Sequence, residues 1–193
     1  EKAGAVGIPL IGGSFDLTSA DGAKFSNSDL LGKYYLLYFG FTHCPDICPE
    51  ELVKISEITK LVKEIKADVP FVPVFITCDP ERDSPDVIKS YLKGKIIFFI
   101  KTIYFIFIDF GNDFVGLTGE PDVIKNVAKS FRIYYRKTPT SADGDYLVDH
   151  SIFFYLMGPD GKFICNFGRE SSVDSCTDKI LEEMKKGENK PSQ

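Results

Sequence analysis

The chain has 193 residues, with 23 basic and 28 acidic side chains and a formal charge of −5. This length suits one domain with a sizeable core, and 44% apolar with 26% charged residues is a globular composition, neither disordered nor fibrous. The acidic balance shows no basic stripe and argues against nucleic acid as a partner. With two histidines, His43 and His150, a three-histidine zinc enzyme is excluded. Five cysteines are too few for a disulfide-dense secreted scaffold, and the odd number leaves at least one thiol without an intrachain partner. The chain starts at Glu1 without a methionine and shows no signal peptide, as expected of a mature or trimmed product.

The opening reads as strand, turn at Ala20-Asp21-Gly22, and strand. Tyr34 to Phe41 is a continuous apolar and aromatic run, expected of a strand buried on both faces. Leu52, Ile55, Ile58, Val62 and Ile65 then recur at helical steps, with Pro49 predicted at the first helical position. Phe71 to Asp79 is the next buried strand, and Ser84 caps a short helix that opens at Pro85. Phe114 to Gly119 reads as a strand, and Pro121 opens a helix through about Phe131. Ser151–Met157 and Lys162–Gly168 flank a turn at Gly158-Pro159-Asp160-Gly161, predicting a hairpin. Ser172 caps a last helix ended by Gly187. This order implies an α/β fold with a mixed sheet and helices on both faces. Residues 1–13 read as a lead-in, 14–186 as the domain, and 187–193 as a polar tail.

The informative segment is GFTHCPDICPEE, Gly40 to Glu51. Cys44 and Cys48 fall between a buried strand and a helix start, where free N–H groups and the helix dipole favour thiolates. Such a pair closes a disulfide or holds one soft metal ion, Cu(I) or zinc; two inert packed thiols are the plain alternative. Imidazole is the fitting third ligand. His43 adjoins Cys44 on the exiting strand, so its side chain is expected to point away. His150 precedes the strand Ser151 to Met157 and comes within reach if that strand end shares an edge with the cysteine turn.

The motifs YFGFTHCPDICPEEL, CDPERDSPDVIKSYL, FVGLTG, FRIYY and DYLVDHSIFFYLMGPDGKF, in this order, resemble the SCO/SenC family from about Ser14 to Met184. The resemblance implies a thioredoxin-like domain with an additional hairpin and Cys44, Cys48 and His150 as copper ligands. It implies Cu(I), with Cu(II) an open alternative, delivered to the dinuclear copper site of cytochrome c oxidase subunit II. Expected with it are an upstream donor chaperone in the intermembrane space, an N-terminal anchor in the mitochondrial inner membrane and a homodimer as one option. A bacterial periplasmic setting is the alternative. Asp149 is a candidate acceptor that orients an imidazole or a partner, or a solvated loop acid.

A different function is a thiol–disulfide oxidoreductase in which Cys44 and Cys48 reduce the target's cysteines. A thiol peroxidase does not fit, because the Pro-x-x-x-Thr-x-x-Cys pattern is missing: Leu37 and Phe41 stand in its proline and threonine places. Cys78 reads as an inert core thiol, and pairing of Cys165 with Cys176 stays open. Asp79 to Pro85 reads as a charged loop with turn and capping duties. Gly94 to Ile108 departs from the family pattern, with eleven Ile, Phe or Tyr among fifteen residues and no acid. It is too short to cross a membrane and reads as a strand with two apolar faces. Its composition is that of a translated A/T-rich noncoding stretch, so a retained intron or gene-model error is the favoured origin; a real insertion would add an edge strand, a dimer contact or a membrane contact.

Overall fold

The computed structural model describes residues 11–93, 96–100, 104–108, 110, 113–141 and 146–188. The strongest apolar run, Tyr34–Gly40 (β3), is buried at every position. It lies in a seven-stranded sheet ordered β11-β10-β3-β4-β7-β1-β2. The other members are β1 (Asp16–Ser19), β2 (Lys24–Ser26), β4 (Phe71–Thr77), β7 (Val115–Thr118), β10 (Phe154–Met157) and β11 (Phe163–Phe167). Strands β3, β4 and β7 run parallel, and β10 joins β3 antiparallel. Pro73, which has no N–H to give, stands one residue before β7 begins to pair with β4.

The parallel crossovers are α1 (Ile47–Ile65) between β3 and β4, and α2 (Pro85–Lys93) in the connection from β4 to β7. Tyr38, Phe75 and Gly116 are aligned across β3, β4 and β7, so their side chains share one face. Tyr38 contacts Cys48 of α1, and Phe75 stacks on Tyr91 of α2, which puts both helices on that face. Helix α4 (Val173–Glu188) packs against α1. Helix α3 (Pro121–Ser130) covers the other face, where Phe131 at its end packs on Phe39 and Tyr155. This is the expected thioredoxin-like α/β arrangement with helices on both faces.

Three expectations shift. Helix α1 starts at Ile47 behind Asp46, whose carboxylate accepts from the Ile47 N–H, so Pro49 is its third residue. The first turn has no intrahelical acceptor for its N–H groups, so proline costs nothing there. Helix α4 runs through Gly187 to Glu188. His150 does not run directly into the hairpin strand: it ends β9 (Val148–His150), which pairs with β8 (Tyr135–Lys137) in a separate ribbon, and β10 begins at Phe154. The hairpin turn forms as expected, with Gly161 in the left-handed region at φ 74°.

The apolar segment folds as an antiparallel hairpin, β5 (Ile96–Ile100) and β6 (Tyr104–Ile108), which among the described residues pairs only with itself. It does not extend the central sheet. The lead-in over residues 1–10 and the tail over 189–193 lie outside the described residues. Among the described residues no helix is long and apolar enough to cross a membrane.

Candidate metal centre

At the end of β3 the chain turns through Phe41 to Asp46 before α1 begins, and this turn carries Cys44. Cys48 falls in the first turn of α1, fully buried against Tyr38. Its close approach depends on Gly40: a Cβ there would lie 3.0 Å from Cys48 Sγ and 2.9 Å from the Tyr38 ring. The Cys48 N–H has no helical acceptor in the first turn and points instead at Cys44 Sγ, 3.4 Å away.

His150 arrives from the β8–β9 ribbon. The alternation along β9 sends Val148 inward and Asp149 out to solvent. The His150 Nε2 lies 3.3 Å from Cys48 Sγ, and its Nδ1 lies 3.0 Å from the Ser151 carbonyl. Because a carbonyl only accepts, Nδ1 carries hydrogen, which turns Nε2 toward the sulfurs. The orienting acceptor is therefore the Ser151 carbonyl; Asp149 is exposed and stands opposite Arg136 in the ribbon. Phe41 sets its ring at 90° to the imidazole, 5.7 Å between centroids, and Tyr38 flanks it at 6.1 Å.

The two Sγ atoms and the His150 ring nitrogen lie within 4.8 Å of one another. An ion bonded at about 2.0–2.3 Å to each donor sits among atoms about 4 Å apart, so the spread suits one ion. Two sulfurs and an imidazole are a soft set that fits Cu(I), whereas structural zinc takes a fourth protein ligand. A cleft of ≈ 270 Å³, walled by Phe41, Pro45, Leu147 and Ile152, opens onto Cys44 and His150.

The two thiols are unequal. The Cys48 thiol, first, and then His150 and the backbone N–H groups of Cys48 and Asp46 hydrogen-bond Cys44 and outweigh its burial, lowering its pKa to about 4. Burial, followed by the Cys44 charge, pushes the Cys48 thiol well above its ordinary value. Tyr38, itself held protonated by burial, donates to Cys48 Sγ across 3.5 Å. All five cysteines are free thiols, Cys165 and Cys176 included. Cys78 is fully buried, and burial raises its pKa, as expected of an inert core thiol.

His43 stays apart from the sulfurs. It is exposed, with Nδ1 3.0 Å from Thr42 Oγ1 and 3.5 Å from Asp83. The loop from Asp79 to Pro85 does more than turn and cap. Its two fully buried carboxylates tie the site together: Asp83 accepts from Thr42 and Thr77, and Asp79 accepts from Arg82 and from Tyr146 near β9. The cysteine turn and the histidine ribbon are thus braced by one loop. The sequence carried no signal for this, because a loop holding Asp79, Glu81, Arg82 and Asp83 reads as solvated charge.

The SCO1/SenC family model matches residues 5–98 and 101–185. The chain belongs to the SCO1/SenC family. The mitochondrial SCO1 homolog 1 of Arabidopsis thaliana is 44% identical over 181 residues, which are 94% of this chain and 49% of that protein. Sco1 of Schizosaccharomyces pombe is 46% identical over 172 residues, 88% of this chain and 59% of that protein. The chain thus spans about half the length of the curated SCO relatives it matches. Among solved SCO structures, copper-bound ScoI of Arabidopsis thaliana superposes with a TM-score of 0.79 at 44% identity, covering 91% of this chain and 99% of that one. Copper-bound yeast Sco1 gives 0.78 at 41% identity, covering 96% and 97%.

Proposed function

We propose that this chain is a copper-binding domain of cytochrome c oxidase assembly, with Cys44, Cys48 and His150 as the ligands of Cu(I). The observation that carries the reading is the convergence of these three donors on one point, with the His150 ring turned by Ser151 to offer Nε2. The copper-bound state of the related ScoI and Sco1 structures supports it. Copper is cargo here. Three ligands in a partly open cleft leave room for an incoming thiolate, so the ion passes by exchange of one sulfur at a time. The recipient in this reading is the dinuclear copper site of oxidase subunit II, and the donor is an upstream intermembrane-space chaperone. Residues 14–186 form the copper-binding domain, facing the intermembrane space and tethered to the mitochondrial inner membrane by a preceding segment. The mitochondrial names of the relatives support that compartment.

The unequal thiols favour a second reading, reduction of the target's copper-ligand cysteines. The half-buried Cys44 thiolate attacks a target disulfide, forming a mixed disulfide and releasing one target thiol. Cys48, once deprotonated, attacks Cys44 Sγ and releases the second, leaving Cys44–Cys48 oxidised by two electrons and the target reduced.

The test is a Cu(I) competition titration with a chelator on the reduced protein. His150→Ala is expected to weaken binding about a hundredfold or more while Cys44–Cys48 still closes under oxidant. Unchanged Cu(I) affinity in His150→Ala removes the chaperone reading of that residue.

A further inference from the structure

The net charge of −5 conceals a basic stripe, contrary to the expectation from composition: Lys125 to Lys137 holds five cations and no acid. The fold gathers it on one surface. Lys125 and Lys129 project from α3 a turn apart, about 6 Å between their Cβ atoms, and Arg132, Arg136 and Lys137 follow into β8. All five are exposed, and they line a cleft of ≈ 600 Å³ whose other walls are Ile133, Tyr134 and Tyr135. No acid lines it. Lys137 is paired with Glu81, and Arg136 faces Asp149 in the ribbon. Lys125, Lys129 and Arg132 make no ion pair among the described residues.

Arg132 is also held in a conformation that suits glycine. It occupies the position just past the end of α3 with φ 56°, the one non-glycine residue at positive φ among the described residues. The chain closes there by N–H bonds from Arg132 to the Lys129 carbonyl and from Ile133 to the Ala128 carbonyl, an arrangement for which glycine is the usual occupant. A guanidinium stands where the fold alone favours no side chain at all.

The cleft is joined to the metal centre through backbone. Tyr135 is the ribbon partner of His150. The Tyr134 carbonyl accepts from the Ser151 N–H at 2.9 Å, and the Ser151 carbonyl is the group that orients His150. Whatever sits in the cleft therefore lies one backbone hydrogen bond away from the residue that orients the imidazole.

We infer that the Lys125–Lys137 cleft is a docking site for an acidic segment of a partner protein, which it seats beside His150. The cations are strung along two helical turns and a strand and do not converge on one point, which suits an extended segment with several carboxylates better than a single phosphate. Tyr134, 62% exposed, stands among the cations and offers an aromatic contact to a peptide side chain. Opposite charge at such a rim mainly steers encounter and weakens with salt. The inference stands on the cleft alone and holds whichever metal the site binds.

The test uses the reduced, metal-free protein and a fluorescein-labelled glutamate-rich peptide, with the same peptide carrying glutamine as control. Expected are anisotropy-detected binding of the glutamate peptide alone, weakening as salt rises, and amide shifts at Tyr134, Tyr135 and His150. The triple variant Lys125→Glu, Lys129→Glu, Arg132→Glu is expected to bind at least tenfold more weakly, and Lys60→Glu, on the opposite face of the sheet, equally well. Arg132→Gly separates docking from folding: it keeps or raises the melting temperature while weakening the peptide severalfold. Equal binding of both peptides, or glutamate-peptide binding unmoved by the triple variant, overturns the inference. Binding to phosphatidylglycerol vesicles without binding to the peptide overturns it in favour of a membrane surface.

Discussion

Thr42 donates both its backbone N–H and its hydroxyl to Asp83, at 3.0 and 2.6 Å, across 41 residues of sequence. Thr77 donates a third bond at 2.6 Å, and the carboxylate is fully buried. Thr42 stands two residues before Cys44, so this carboxylate fixes the take-off of the metal-binding turn. Asp83→Ala leaves three donors facing a void and is expected to cost about 2–4 kcal/mol. Urea denaturation measures the loss, and Cu(I) competition is expected to show weaker binding as well. Asp83→Asn, which keeps one acceptor oxygen, should lose less of both.

The Cys44 thiol gives a pH signature. With its pKa lowered to about 4, chiefly by the Cys48 thiol, Cys44 is a thiolate from about pH 5 upward and is protonated below about 4. A depressed pKa adds stability that is full above the ordinary thiol value of 9.0, declines as pH falls below it, and is gone by about pH 4. In the reduced, metal-free protein, iodoacetamide should label Cys44 at pH 5–6, with Cys48 and Cys78 protected; mass spectrometry reads the sites. Cys48→Ser removes the largest cause and should move the midpoint of Cys44 labelling upward.

The centre of the sheet was legible because β3 and β4 are seven-residue apolar runs, and the helices because their apolar residues recur at three and four. The grouping of Cys44, Cys48 and His150 was legible from the cysteine spacing and the family motifs, and the structure brings their donor atoms together. What was not legible is how His150 arrives. Three-residue strands such as Tyr135–Lys137 and Val148–His150 are too short to show a period, and their partner is set by tertiary packing. The burial of Asp79 and Asp83 was equally hidden, because a charged loop sequence reads the same whether its acids face water or donors. The start of α1 was misplaced because Pro49 was read as a first-position signal, while Asp46 two residues before Cys48 supplied the actual cap.

Two glycines separate damage to the fold from damage to the site. Gly40→Ala would place a methyl about 3 Å from Cys48 Sγ and from the rings of Tyr38 and Phe75. Gly116→Ala would place one 2.4 Å from Ile88 and 2.6 Å from Leu92, beneath α2 and on β7. Both should destabilise by about 1–3 kcal/mol through overpacking. Only Gly40→Ala should also weaken Cu(I) binding, because only it displaces Cys48, a proposed ligand. Thermal melts beside Cu(I) competition on the two variants make the comparison.

The Ile96–Ile108 hairpin is expected to be dispensable. Its first and last residues, Ile96 and Ile108, are register partners, about 5 Å apart between Cα atoms as in any antiparallel pair. Excising Gly94–Ile108 therefore removes two strands whose outer ends lie side by side. The flanks hold independently of it: Leu92 is buried in α2, and Phe110 is buried against Tyr91 and Phe114. The proposed copper ligands sit on the turn after β3, in the first turn of α1 and on β9, so none of the three depends on the segment. The shortened protein should keep its Cu(I) affinity and its melting temperature within a few degrees. It should also scatter less light on heating, because a hairpin with two apolar strands and no acid offers edges for association. A large fall in melting temperature would mark the hairpin as part of the fold. The spliced transcript supplies the complementary measurement: a main message that joins Lys93 directly to Asp109 is expected, and one that reads through Gly94–Ile108 would identify the segment as a genuine insertion.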